Sequence, residues 1–272
     1  MRESFIVIGL TVIALGLRMA HRPWLRKLGA FVFLGASFSL GYFLTGMMCC
    51  GMAAILLWFF LPWIELLTRI RRMRLPVENR LQHEKIPNPS FFPNAPQAVT
   101  AMEDDGFEHV SDCGWKWDGM DQYFMLYWNP EERAVSGICL CEQSDVAFAF
   151  ITITSMDVQG RIWRTTNFPF APTLLRPPDV IWNHVPCSKN CFHQILADHK
   201  AFLGRQGLEV SQLRIPDPEA IESSIETEMQ RLVQYNLSRG IITLSNDGTF
   251  RYSKRGMLFL WGQFIKDMIR FC

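Results

Sequence analysis

The densest gathering of chemically capable side chains is Cys187-Ser188-Lys189-Asn190-Cys191-Phe192-His193, with His184 and His199 nearby. Thiolates and imidazoles are ligands that zinc prefers, and a helix N-terminus lowers a thiol pKa, so this piece of chain could hold a metal or a reactive thiol. A structural zinc site usually draws its ligands from two segments. Outside the apolar run that holds Cys49 and Cys50, the only other close pair is Cys139 and Cys141, which alternate positions of a strand place on one face. Nothing in the sequence joins the two pieces. Cys187, Cys191 and His193 are therefore candidate ligands, and packing as small apolar side chains is the simpler account of the cysteines. Acid–base chemistry finds less support. Asp104-Asp105 and Glu131-Glu132 are adjacent pairs, which diverge on a strand, and there is no nucleophile elbow, phosphate-binding glycine loop or His-x-x-x-His pair. No catalytic or cofactor-binding residue is assigned, and an enzyme is the lesser reading.

The elements that must position any site begin in a membrane. Residues 28–67 contain one charged side chain, Glu65. A span needs about 20 apolar residues, so the run predicts a hairpin of two helices, residues 28–46 and 47–67, turning at Gly46-Met47-Met48-Cys49-Cys50-Gly51. Residues 4–17 form a further apolar segment, read as a third span because Arg18 sits where a signal-peptide cleavage site requires small residues. Arg18, Arg22, Arg26 and Lys27 precede the hairpin, and Arg69, Arg71, Arg72, Arg74 and Arg80 follow it. Three spans place both basic clusters inside, with the N-terminus outside and everything after Arg69 in the cytoplasm. Gly46, Cys50 and Ala54 recur at every fourth position, which predicts close helix packing within the hairpin, and Pro62 predicts a kink beside Trp58 and Trp63.

Charge divides the chain. Residues 1–80 carry 10 Lys+Arg against 3 Asp+Glu, and residues 81–272 carry 17 against 23. The basic part is the anchor, and the acidic part is a poor binder of polyanions. Five prolines between Pro76 and Pro96 predict an extended linker lying along the domain or the membrane surface, in which Phe91 and Phe92 suggest docking and not a free tether. Six cysteines then lie in a cytoplasmic domain, where disulfides are not expected.

Within that domain the pattern predicts antiparallel strands at residues 107–117, 122–128, 134–141, 146–154 and 161–166. Their turns fall at Asp118-Gly119, at Asn129-Pro130-Glu131-Glu132, and at residues 142–145 and 157–160. In the fourth strand Phe148 and Phe150 face one way and Ala149, Ile151 and Ile153 the other, so both faces need cover. One covering helix is capped by Ser188 or Asn190 and runs to Gly204. A second starts at Asp217-Pro218-Glu219, with Ile221, Ile225, Met229, Leu232 and Val233 at helical spacing. Its spacing turns Met229 and Leu232 to the sheet and leaves Glu226 solvated. A hairpin around Ser245-Asn246-Asp247-Gly248 and a final helix from Lys254 follow.

The stretch LSRGIITLSNDGTFRYSKRGMLF, residues 237–259, resembles the end of winged-helix domains, where a helix leads through Gly-Ile into a short hairpin. The resemblance implies a membrane-tethered regulator that binds DNA. Yet the helix that would enter the groove carries Glu219, Glu222, Glu226 and Glu228 against Arg231, the wrong sign for a phosphate-lined surface. Nucleic acid is accordingly not an expected partner.

In the final helix Met257, Leu258, Leu260, Trp261, Phe264, Ile265, Met268, Ile269 and Cys272 fill half the circumference, and Gln263, Lys266 and Arg270 lie opposite. That stripe either joins the protein's own sheet or lies in the membrane interface. In the second case Trp261, Lys266 and Arg270 sit beside Arg69, Arg71, Arg72 and Arg74 at anionic headgroups. The predicted fold class is α+β: transmembrane helices in residues 1–75, a Pro-rich linker at 76–98, and a cytoplasmic domain at 99–272 with an antiparallel meander covered by C-terminal helices. The functional expectation is an integral membrane protein of the inner or cytoplasmic membrane, an accessory or scaffold subunit that binds lipid and another membrane-complex protein without a cofactor. The alternatives are a membrane-bound enzyme or metal/thiol protein with a site near Cys187, Cys191 and His193, and the membrane-tethered winged-helix-like regulator.

Overall fold

A computed structural model describes residues 2–20, 22–78, 80–83, 92, 94–117, 120–143, 146–188, 191–245 and 248–271. It divides into two compact units, Met1–Met73 with Tyr252–Cys272, and Arg74–Arg251. The first unit begins with helices α1 (Arg2–Arg18), α2 (Pro23–Thr45) and α3 (Met48–Thr68). Both α2 and α3 are long and apolar enough to cross a membrane. α1 packs along α2 and rises only about 26 Å at 1.5 Å per residue. They come close at Gly29, where a Cβ would stand 2.9 Å from the Ala14 carbonyl oxygen.

Glycine sets the hairpin in two ways. Gly46 caps α2 with φ 71, and its N–H donates to the Tyr42 carbonyl at 2.7 Å. It therefore makes the turn and is not part of the packing seam, contrary to the every-fourth-residue reading. Cys50 and Ala54 do line the seam, opposite Gly41, where a Cβ would come within 2.6 Å of the Cys50 carbonyl oxygen. Across the same seam the Trp58 indole donates to Ser37 Oγ at 3.1 Å. Pro62 lies inside α3, leaving the Trp58 carbonyl without its helical donor.

The second unit opens with β1 (Leu75–Pro76) and α4 (Ala95–Asp104). The helix starts inside the stretch read from the sequence as extended linker, because Pro96 occupies the first turn, where proline is tolerated. Phe92 is 3% exposed and joins the core, so the docking expected of that stretch rests on it. Pro87, Pro89, Phe91 and Pro93 lie outside the described residues, as do Asp118-Gly119, Ser144-Asp145, Lys189-Asn190 and Asn246-Asp247. Strands β2 (Glu108–Trp117), β3 (Met120–Asn129), β4 (Ala134–Gln143), β5 (Val146–Met156) and β6 (Ile162–Thr166) form the expected antiparallel meander. A sixth strand, β7 (Val180–His184), adds parallel to β6 at the sheet edge. It is five residues long between Pro177-Pro178 and Pro186, too short and too punctuated to show a period.

Alternation along the strands gives the sheet two different faces. Ile138, Leu140, Ile151 and Ile153 point to a core closed by α4 and by α5 (Phe192–Arg205), through Met102, Phe192 and Ile195. The opposite face, carrying Cys113 and Leu126, packs on Ile221 and Ile225 of α6 (Ile221–Ser238). α5 begins at Cys191, whose side chain makes no capping bond, and Asp217 does accept the Glu219 N–H ahead of α6. The inner stripe of α6 differs from the expected one. Val233 and Asn236 are buried, Met229 and Leu232 are only half-buried, and Glu226 accepts the Leu81 N–H at 2.7 Å instead of being solvated.

Strands β8 (Ile242–Leu244) and β9 (Thr249–Tyr252) follow α6 and make a small sheet with β1, in which Leu75 pairs with Phe250. The wing-like hairpin is thus a part of this sheet, and the helix before it lies on the large one. The last helix, α7 (Lys254–Phe271), returns to the first unit. Met257, Leu260, Trp261 and Phe264 pack on Trp63, Leu66 and Ile70 of α3 and the residues after it, and the Trp261 indole donates to the Phe59 carbonyl at 2.8 Å. The apolar arc of α7, expected to join the sheet or the membrane interface, packs on α3. Part of that arc is left over: Leu258 and Ile269 are 57% and 58% exposed, whereas Gln263, assigned to the polar side, is buried.

Candidate functional site

The residues proposed as metal or thiol ligands are not brought together. Cys187 and Cys191 are exposed, and His193 Nδ1 is 2.6 Å from Asp105 Oδ2 at the surface. Cys139 and Cys141 share a face as expected, but that face is the α6 side, whereas Cys191 starts α5 on the other. Burial pushes the Cys113 and Cys141 thiols up to about 12 and Cys139 higher still, so all three are protonated apolar fillers. No group of three metal-ligating side chains occurs among the described residues.

Of the proposed membrane-interface residues, Arg69, Arg71, Arg72, Lys266 and Arg270 are exposed, Arg74 is half-buried, and Trp261 bonds to α3. Arg69 lies 3.4 Å from Glu65.

The more organised polar sites were missed in the sequence. His199, 2% exposed on α5, sits between Ser155 Oγ at 3.2 Å and Thr165 Oγ1 at 2.9 Å. Burial depresses its pKa to about 4, so it is a neutral strut of the core. Asp157 is 1% exposed and accepts from the Gln159 and Arg161 N–H groups, Arg161 Nε and Trp163 Nε1. Desolvation pushes its pKa up, but those hydrogen bonds together outweigh it and hold the carboxyl below its usual range.

The third site lies at the β6–β7 edge and reaches the surface. On the α6 side of the sheet, Arg164 and Trp182 are paired in register, as are Thr166 and His184. Arg164 forks onto Glu228 of α6 with two contacts of 2.7 Å and donates to Thr154 Oγ1 at 3.0 Å. The Trp182 ring lies under two guanidinium groups, Arg164 at 5.0 Å and Arg176 at 4.1 Å. Arg176 donates to His184 Nε2 at 2.7 Å and has no carboxylate partner among the described residues. Burial first, and the neighbouring Arg164 charge second, lower its pKa to about 10. Beyond these side chains Phe148, Phe150, Phe168 and Phe170 form a half-exposed aromatic patch, closest between Phe150 and Phe168 at 4.8 Å.

The loop carrying Arg176 is held in place. Asn236 of α6, fully buried, accepts the Leu175 N–H at 2.9 Å and donates to the Leu175 carbonyl at 2.8 Å. Asn236→Ala leaves both groups of Leu175 unpaired and should destabilise the sheet unit by about 3 kcal/mol. A denaturant midpoint unchanged from the native chain would show that the clasp does not hold the loop. The signal that could have found this site is the Arg and Trp pairing on one face of adjacent strands, invisible until β7 is recognised. Comparison with models of known protein families, with characterised proteins and with solved structures finds no match.

Proposed function

We propose that the chain is an integral membrane protein whose sheet unit is an interaction domain on the cytoplasmic side, acting as an accessory or scaffold subunit of a membrane complex. The observation that carries this reading is the return of the chain in α7: the sheet unit is an insertion between α3, apolar enough to cross a membrane, and α7, which packs on α3. The exposed Leu258 and Ile269, flanked on the same face of α7 by the exposed Lys254, Arg255, Lys266 and Arg270, suit a helix lying in the headgroup region, the two apolar side chains entering the acyl boundary and the basic ones reaching out to the headgroups. α1 serves as a short third span, with Arg18, Arg22, Arg26 and Lys27 inside.

The topology is tested by reporter fusions to the full chain in a bacterial host. Alkaline phosphatase should be inactive after Arg74 and active between Gly46 and Met47; activity at the first position overturns the arrangement. In mild detergent the chain should migrate with a further membrane protein. Recovery as a lone monomer overturns the subunit reading.

A further inference from the structure

The Arg176 surface is built in a way that the fold itself does not use. A guanidinium has five N–H donors, and the one at Arg176 spends a single hydrogen bond on a neutral acceptor, His184. Asn236 pins the preceding residue and Trp182 supports the guanidinium plane from below, so the charge is fixed and partly desolvated. The flanking charges are already satisfied, Arg164 by Glu228 and Asp179 by Arg231. What is left, among the described residues, is one oriented cation, with four half-exposed phenylalanine rings farther along the same face of the sheet. We propose that this surface docks an acidic peptide segment of a partner protein, one carboxylate forking onto Arg176 and the neighbouring apolar side chains lying on Phe150 and Phe168.

The occupant follows from charge complementarity. A planar fork matches a carboxylate with two parallel hydrogen bonds. Recognition of anionic lipid calls for clusters of about 4 to 8 basic side chains, whereas here, among the described residues, a single uncompensated cation stands among two paired acids. The proposal rests on the reading of the sheet unit as an interaction domain and names the chemistry of its partner.

The experiment uses the full chain in nanodiscs of neutral phosphatidylcholine, panned against a random 12-residue phage library, with Arg176→Gln panned in parallel. Native protein should enrich peptides with an Asp or Glu next to Phe, Leu or Ile, and synthetic copies should bind Arg176→Gln about tenfold more weakly. Phe168→Gln, which leaves Arg176 in place, should weaken the same peptides about tenfold. Enriched peptides without an acidic residue, the same affinity for both variants, or no enrichment at all would overturn the proposal. So would Arg176-dependent binding of phosphatidylglycerol vesicles without peptide selection, which would make the surface a lipid site. Failure of the chain to enter nanodiscs would instead overturn the membrane reading.

Discussion

Gly41→Val should open the α2–α3 hairpin. Its Cβ would stand 2.6 Å from the Cys50 carbonyl oxygen and 3.1 Å from the Ala54 Cβ, and the first of these is backbone that cannot swing aside. The helices must separate, and the bond from Trp58 to Ser37 stretches with them. Overpacking of this kind costs about 1 to 3 kcal/mol, and more where the obstacle is rigid. Gly35 supplies the control, because a Cβ there meets nothing within 4 Å. Unfolding of the full chain by dodecyl sulfate in mixed micelles should shift to lower detergent fraction for Gly41→Val and stay in place for Gly35→Ala. Cys50 should also react faster with a maleimide in the first variant. Equal curves for the two variants would mean that the seam contributes nothing.

The sheet unit should lose stability in mild acid, and His199 should be the cause. Its folded pKa of about 4 lies below the value of about 6.5 in an unfolded chain. Between those values the unfolded chain binds a proton that the native core refuses, so stability falls as pH drops from about 6.5 to about 4 and then levels off. The difference corresponds to about 3 kcal/mol. Asp157 acts in the opposite sense and lower down. Its depressed pKa stabilises the fold at every pH above the normal carboxylate range and is lost only below it, so the two windows are separable. His199→Gln keeps a donor and an acceptor for Ser155 and Thr165 without the titration. Its thermal midpoint should be flat from pH 6.5 to 4, where the native chain falls; parallel slopes would assign the acid sensitivity elsewhere.

Long-period patterns were legible and short-range geometry was not. Forty residues with a single charge predicted α2 and α3 within a few residues of their ends, and alternation predicted five strands of the large sheet in order. What failed was whatever depends on a few residues or on a partner distant in sequence. Pro96 was read as a breaker although it sits in the first turn of a helix, and β7 has too few residues to show a period. Gly46 and Gly41 look alike in the sequence, yet one turns the chain and the other admits a neighbouring backbone. Glu226 reads as solvated because its partner, the Leu81 N–H, lies 145 residues away, and the pairing of Glu228 with Arg164 spans 64. The Cys and His cluster met neither expectation: Cys187 and Cys191 are exposed where packing as small apolar side chains was the simpler reading, and proximity along the chain yields no group of three metal-ligating side chains among the described residues.

The pairing of Leu75 with Phe250 brings the entry and the exit of the sheet unit side by side in one ladder. Adjacent antiparallel partners have Cα atoms about 5 Å apart, so the whole of residues 75–250 occupies, as far as the rest of the chain is concerned, the gap that a tight turn would fill. The sheet unit is in that sense a detachable cassette. It could be lifted out and replaced by a few residues without breaking the covalent path from α3 to α7, and a single proteolytic cut within one of its loops would leave both fragments rooted in the same helical base.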